Sequence, residues 1–446
     1  MPKVPKVAAV EGALVSITTE TRKRAKIFYG WWVVIGASII SGIAAINFYG
    51  FSVFIPPLLK MFGWSRAQIS LAASISRLEG GIEGPIVGWL IDKIGARVMA
   101  ISGLIVAGLG FIWFSRVNSL LSYYLIYGVF LSIGFQVGFS HATYAVAAKW
   151  FIKKRSRAMS AIAVGVGVGG MIMPPILGWL IENYGWRNAA IFSGVALMAI
   201  GLPAAMVMRP TPEKYGLLPD GELHEEPKGQ NGKATVIVKT AEVNLTVKEA
   251  LKSANFWILI IGQVIGSVTG SVVHMHQTVH LTDMGIPYRA AATALGFMVG
   301  ASIPGRIVGG WLGDIFDKRR LLLLFCIGEC IGVYILSIAN TLPLVYLFVI
   351  IYGFSFGLSI PLRTSLRGDL FGRTNFATIQ GIMSPIMMPF GVIGPVFAGW
   401  VYDYFGSYQI AFYAWIFGAV IGAISYQFLR IPKPEVVELP NASLQP

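Results

Sequence analysis

Charge is what this chain has little of. Only 13% of its 446 residues are Asp, Glu, Lys or Arg, about half the roughly 25% of a soluble domain. Acidic residues are the scarcer sign, 21 against 35 Lys and Arg. Cysteine occurs twice, at Cys326 and Cys330, one helical turn apart in an apolar run. That excludes a disulfide framework and reads as two free thiols. Of five histidines, His276 and His280 have the i,i+4 spacing of metal ligands, but no carboxylate or cysteine nearby completes a coordination set. No metal and no other cofactor is expected. No phosphate-cradling glycine loop, dinucleotide fingerprint or nucleophile elbow stands in a usable context. The expectation is a protein that is not an enzyme.

What fills the chain instead is apolar sequence. Hydrophobic residues make up 55%, arranged in twelve runs each long enough to cross a hydrocarbon core about 30 Å thick. They lie near Ile27–Leu58, Ala67–Leu90, Val98–Phe114, Leu121–Ala148, Ala158–Ile181, Ala189–Met208, Phe256–Leu281, Ala290–Leu312, Leu321–Ala339, Pro343–Pro361, Phe376–Val401 and Ile410–Leu429. Without water at that depth, backbone groups must pair within the segment, so the runs read as helices. The class is an all-α membrane protein with 12 transmembrane helices. The first run is too long for a signal-peptide core and lacks an Ala-x-Ala-like end, so an uncleaved N-terminus is expected.

One phrase recurs four times: Gly88-Trp-Leu-Ile-Asp92, Gly178-Trp-Leu-Ile-Glu182, Gly310-Trp-Leu-Gly-Asp314 and Gly399-Trp-Val-Tyr-Asp403. The intervals are 310 − 88 = 222 and 399 − 178 = 221, with 178 − 88 = 90 and 399 − 310 = 89 inside each half. The chain is therefore two halves of two quarters, each quarter holding three spans. An odd number of crossings makes successive quarters enter the membrane from opposite sides, the inverted-repeat plan of a transporter. Two pseudo-symmetric six-helix bundles follow, over 27–208 and 253–430, with an arm at 1–26, a linker at 209–252 and a tail at 431–446.

Cations orient the bundle. Lys3, Lys6 and Arg22–Lys26 precede span one, and Lys93/Arg97, Lys153–Arg157, Lys318–Arg320 and Arg363/Arg367/Arg373 follow spans two, four, eight and ten. Loops on the other side are far poorer in cations, with single entries such as Arg116, Arg187 and Arg289. The positive-inside rule then places both termini in the cytoplasm of a cell inner (plasma) membrane. The net charge of +14 is spread over these short loops, with no aromatic-interleaved basic domain, so nucleic acid is not a partner. The lipid bilayer is, and function as a monomer is expected. In the linker, turn-forming Pro219-Asp-Gly221 and Gln230-Asn-Gly232 lead to Thr246-Val-Lys-Glu249, a capping box opening a short helix.

These residues resemble the major facilitator superfamily. Gly88, Asp92, Lys93, Gly95 and Arg97 are similar to its loop motif; the second copy, from Gly310 through Asp314, lacks the second glycine. Phe28-Tyr-Gly-Trp-Trp32, Trp150-Phe-Ile-Lys-Lys-Arg155 and Arg209-Pro-Thr-Pro-Glu213 resemble the bacterial monocarboxylate and oxalate/formate exchanger branch. The resemblance implies the major facilitator fold and a gating role for Gly88, Asp92, Arg97, Gly310 and Asp314. Asp92 is expected to face the N-terminus of the helix that follows and nearby arginines.

Charges inside the apolar cores persist only when paired or wetted, and four are conspicuous: Arg77, Glu79, Glu83 and Arg306. Aligned on the repeated phrase, the position four residues earlier reads Gly84, Pro174, Arg306 and Pro395. A guanidinium there offers a donor fork that fits a carboxylate. The resemblance implies that Arg306 binds the substrate carboxylate; a fixed ion pair with a neighbouring helix is the alternative. The aspartate that proton-coupled members carry one turn earlier is replaced by Ser302, and the lysine late in their first helix is absent after Pro56. Glu79 and Glu83, i,i+4 on one face, and Arg77 beside them are then candidates for proton coupling, or for a static network between spans two and eleven.

By analogy spans one, four, seven and ten face a central cavity. Their polar residues Asn47, Tyr49, Tyr127, Gln136, His141, Tyr144, Gln263, Ser267, Tyr352 and Ser355 are the remaining substrate-binding candidates, with His274 and His276 near the outer end of span seven. The expected function is secondary active transport of small organic anions, monocarboxylates foremost, by alternating access with protons. Carboxylate exchange is the alternative within that class, ahead of drug–proton antiport. A transporter-like receptor is expected to append a soluble domain, and after Arg430 only a short Pro-containing stretch follows.

Overall fold

The computed structural model describes residues 28–64, 66–221, 239–241, 244–432 and 435–437. Among these, ten helices are long and apolar enough to cross a membrane. One of them, Arg155–Val207, breaks at Gly185, whose φ of 78° lies outside the helical region, and so supplies spans five and six. Span two, Arg66–Ile94, is equally long, but Arg77, Glu79 and Glu83 make its middle too polar to be counted among the ten. Twelve spans result, as the hydropathy pattern predicts. Span ten, Leu342–Phe371, runs a full ten residues past the expected Pro361. Two three-residue strands, Lys239–Ala241 and Glu435–Val437, pair antiparallel beside the bundle.

The apolar residues collect into two main cores. One gathers residues between Val33 and Met208, joined by Phe376 and Ala377; the other runs from Ala250 to Leu429. Glycine lets the helices close within each. A side chain at Gly169 would overlap the Gly42 carbonyl of span one, and one at Gly305 would overlap the Phe354 carbonyl of span ten. With no hydrophobic drive between helices in lipid, such backbone approach is what associates them. Span four departs from the regular helix, widening to π turns at Tyr124–Leu131 and Gln136–Ser140. Wide turns of this kind recur where a helix serves a site.

Between the halves, spans two and eleven meet at Gly84 and Gly381, and spans five and eight at Ser160 and Gly310. Ser160 also donates to the Arg306 carbonyl at 2.5 Å. These contacts crowd toward the end of the molecule that carries Asp92 and Asp314. Toward the other end, added side chains at Gly296, Gly300 and Gly391 would meet open space. Close contacts between the halves are therefore gathered at the end that carries Asp92 and Asp314. The linker helix Val247–Lys252 opens with the expected capping box, Thr246 and Glu249 each bonding the other's backbone N–H. Those hydrogen bonds hold the Glu249 carboxyl below its usual range.

Candidate functional site: a central cavity above a charged gate

The shut end is tied by carboxylates. Asp92 accepts from the Thr378 N–H and hydroxyl, both at 2.8 Å, and pairs with Lys149 at 3.2 Å. The helix N-terminus it faces belongs to span eleven, in the other half, and its cation is a lysine where arginines were expected. Asp314 does the same for span five, accepting from the Ser156 N–H at 2.8 Å and the Arg157 N–H at 3.3 Å, with the Arg157 Nε at 3.2 Å. Each motif carboxylate caps a helix of the opposite half, where the backbone dipole favours negative charge. Asp369 adds a third tie, binding Arg155 at 3.0 Å and also Lys318. Arg97 is half-buried at the start of span three.

Next to the closed end sits a cavity of about 860 Å³. From the first half it takes Gly80, Gln136 and His141; from the second, Gln263, His274 and Arg367. A lobe of about 390 Å³ shares Gln263, His274 and Arg367 and adds Arg363 and Phe356. Small residues hold the polar ones in place. The absent side chain of Gly80 leaves room for the Gln136 amide, Gly266 for the Arg363 guanidinium and Gly167 for that of Arg306.

Three arginines serve this region, and their partners differ. Arg363 is held by Glu329 of span nine, one Nη lying 3.3 Å from each carboxylate oxygen. Arg306 is 4% exposed and donates to the Ala163 main-chain carbonyl, with its Nε left without a partner. Arg367 is half-buried against the Phe376 ring, and its Nε is also unpartnered. Tyr144 lies in the field of both Arg306 and Arg367. Among the described residues neither of these two has a carboxylate partner.

The structure brings only part of the expected set together. Gln136, His141, Gln263 and Ser267 line the cavity, and Tyr144 adjoins it through the arginines. Tyr49 packs on Gly170 of span five, close enough to Tyr144 to act on it. Asn47 is half-buried, with its Oδ1 unpartnered. Tyr127 stacks between Phe51 and Tyr123 inside the first half, away from the cavity lining. Tyr352 is 1% exposed against Gly332 of span nine, and Ser355 is turned to Gly328 on the same helix. His280 is bonded to the Leu336 carbonyl at 2.9 Å, and His276 to Tyr408 at 3.3 Å. The described residues hold no metal-binding cluster.

Two features escaped the sequence reading. Arg363 and Arg367 resemble loop cations after span ten, yet both lie inside that helix and on the cavity. Glu329 went unnoticed between Cys326 and Cys330; a lone carboxylate in an apolar run was the available signal. The Ser302 hydroxyl bonds its own helix at the Val299 carbonyl, 2.6 Å away.

Glu79 and Glu83 face a groove of about 420 Å³ lined by Ile75, Leu78 and Ile82 of their own helix, a separate space from the central cavity. Glu79 lies near Ser132 of span four, while its Oε2 and the Glu83 Oε1 have no partner. The face of span two that meets span eleven is instead glycine, at Gly81, Gly84 and Gly88. The side chain of Arg77 lies outside the described residues.

Known proteins share this architecture. The family model described as Major Facilitator Superfamily matches residues 37–389 and 297–445. Monocarboxylate transporter 13 of Rattus norvegicus is 26% identical over 407 residues, covering 91% of this chain and 89% of its own length. Monocarboxylate transporter 12 of Mus musculus is 22% identical over 419 residues, covering 91% and 86%. Among solved structures, the transporter FucP in the outward conformation superposes with a TM-score of 0.69 at 15% identity, over 90% of this chain and 100% of that one. The human organic anion transporter MFSD10 gives 0.69 at 13%, over 89% and 99%. These two likenesses speak to the fold.

Proposed function

Because the chain belongs to the Major Facilitator Superfamily, we propose that it is a secondary transporter of small organic anions, monocarboxylates foremost, working by alternating access. One observation carries this reading: Arg367 lines the central cavity, and Arg306 lies buried behind it within the field of Tyr144, neither with a carboxylate partner among the described residues. A buried cation without a counter-charge costs several kcal/mol. An anion in the cavity removes that cost, and a guanidinium fork suits a carboxylate in particular. The names of the relatives, monocarboxylate transporters, support the same substrate class.

With the cation-rich loops in the cytoplasm, the end shut by Asp92 and Asp314 is the cytosolic gate. The described conformation is then outward-open. Reversal of the caps and separation of Gly84 from Gly381 and of Ser160 from Gly310 would deliver the anion inward.

Carboxylate exchange is the second reading, favoured by Ser302, which offers a hydroxyl bonded to its own helix where proton-coupled relatives are expected to carry a carboxylate. The test is uptake of labelled C1–C6 mono- and dicarboxylates into proteoliposomes. A pH gradient driving net accumulation of a monocarboxylate supports symport. Uptake only into vesicles preloaded with a carboxylate supports exchange. No flux of any carboxylate in either format overturns the anion reading.

A further inference from the structure

The Glu329–Arg363 pair is built unlike a structural salt bridge. Glu329 has a side chain only 4% exposed, in the middle of span nine. It engages one Arg363 nitrogen at 3.3 Å through both of its oxygens. The opposite nitrogen, Nη1, lies against the gap left by Gly266 of span seven, and Nε has no partner. So the guanidinium bridges two environments, a buried carboxylate on one side and the cavity lobe on the other. The Nη1 donors lie on the Gly266 side, where span seven and Arg363 line the lobe in which an anion would sit.

We propose that Glu329 is the proton-carrying residue of this transporter, and that Arg363 exchanges its partner between Glu329 and the substrate carboxylate. This rests on the anion-transport reading given above. In the empty site Arg363 and Glu329 sum to zero charge. An incoming carboxylate takes the Arg363 donors, leaving Glu329 as an isolated buried anion, which costs several kcal/mol. Glu329 relieves that cost by taking one proton from cavity water, forming a carboxyl O–H. The set of Arg363, substrate anion and neutral Glu329 again sums to zero. No bond in the substrate changes, and one anion travels with one proton.

Among the described residues Glu329 has no other counter-charge beside it. On its own helix it is flanked by Cys326 and Cys330; span ten presents Arg363 and Tyr352, and the end of span twelve presents Tyr426. Thiols and phenols are neutral near pH 7, so Arg363 is the one cation in this group. Span seven presents Gly266 against Arg363 and Gly262 against Tyr426, with the neutral Gln263 beside them on the lobe.

Purified protein in weakly buffered detergent is titrated with lactate, and with acetate as a second probe, while pH and thermal stability are followed together. The proposal expects the wild-type protein to take up about one proton for each anion bound, raising the bath pH. The Glu329→Gln variant, an analogue of the protonated acid, should still be stabilised by lactate but take up no proton. In proteoliposomes its acid-driven accumulation should fall roughly tenfold or more, the scale of one lost charge-assisted contact, while counterflow of labelled lactate continues. Lactate binding to wild-type protein without proton uptake overturns the proposal, and does so even if the variant fails to fold. So does proton uptake that survives in Glu329→Gln but vanishes in the Glu79→Gln/Glu83→Gln double variant. Failure of both probes to bind removes the anion reading itself, and this inference with it.

Discussion

Asp92 and Asp314 hold equivalent places in opposite halves, 314 − 92 = 222 positions apart, and their partners keep the same interval. Asp92 accepts from the Thr378 N–H and Asp314 from the Ser156 N–H, and 378 − 156 = 222. Each half therefore contributes one carboxylate and one helix N-terminus to a reciprocal cap. Two of the four copies of the phrase, those ending at Asp92 and Asp314, supply this reciprocal cap.

Removing either cap should loosen that end. A helix N-cap contact contributes about 0.5–2 kcal/mol, enough to change a two-state population by a factor of several. Ser365, fully buried at the gate and 2.9 Å from the Ser156 hydroxyl, is a place to read this out. In a Ser365→Cys background, Asp92→Asn and Asp314→Asn should each raise the rate of thiol alkylation about threefold or more. Unchanged rates would show that the gate is held elsewhere.

Gly167→Ala should act on Arg306 without touching the substrate. A Cβ there would stand 2.7 Å from the Arg306 Nη1, so the guanidinium must move from its seat. Carboxylate uptake is expected to fall about tenfold or more, the usual scale for displacing a charged hydrogen-bond donor. Gly296→Ala, which meets nothing within 4 Å, should leave uptake unchanged and serves as the control.

Much of this fold was legible because lipid enforces a simple rule: every span must be apolar over some twenty residues and helical throughout. The spans, the repeat and the Thr246–Glu249 capping box follow from local pattern alone. The lower part of span ten did not, because Arg363 and Arg367 satisfy the positive-inside rule as well as a loop cation would. Only the tertiary structure separates a cation lining a wet cavity from one in cytosolic water. Tyr127 and Tyr352 illustrate the reverse error. Matching repeat positions put both on helices expected to face the cavity, but their rings are spent on aromatic stacks, Tyr127 with Phe51 and Tyr352 with Phe356.

The start of the linker is docked, contrary to a freely moving connection. Asp220, at φ 61°, accepts from the N–H groups of Ile152, Lys153 and Lys154 at 2.8–3.0 Å. Arg209 stacks between Tyr29 and Tyr215, and Glu213 pairs with Arg373 at 2.5 Å. Asp220→Gly keeps the left-handed backbone but removes the acceptor. Hydrogen exchange at residues 152–154 should then rise by about tenfold, since three N–H groups lose a charged partner. Protection equal to the wild type would mean the loop holds its shape alone.

The central claim is that unpaired arginines make this cavity an anion site, and binding of lactate to purified wild-type protein and to Arg367→Gln tests it most directly. By calorimetry at pH 7, lactate should bind the wild type and bind Arg367→Gln at least about tenfold more weakly, while an uncharged analogue, lactamide, binds neither. Equal affinity of wild type and Arg367→Gln for lactate, or binding of lactamide as tight as lactate, would contradict the account.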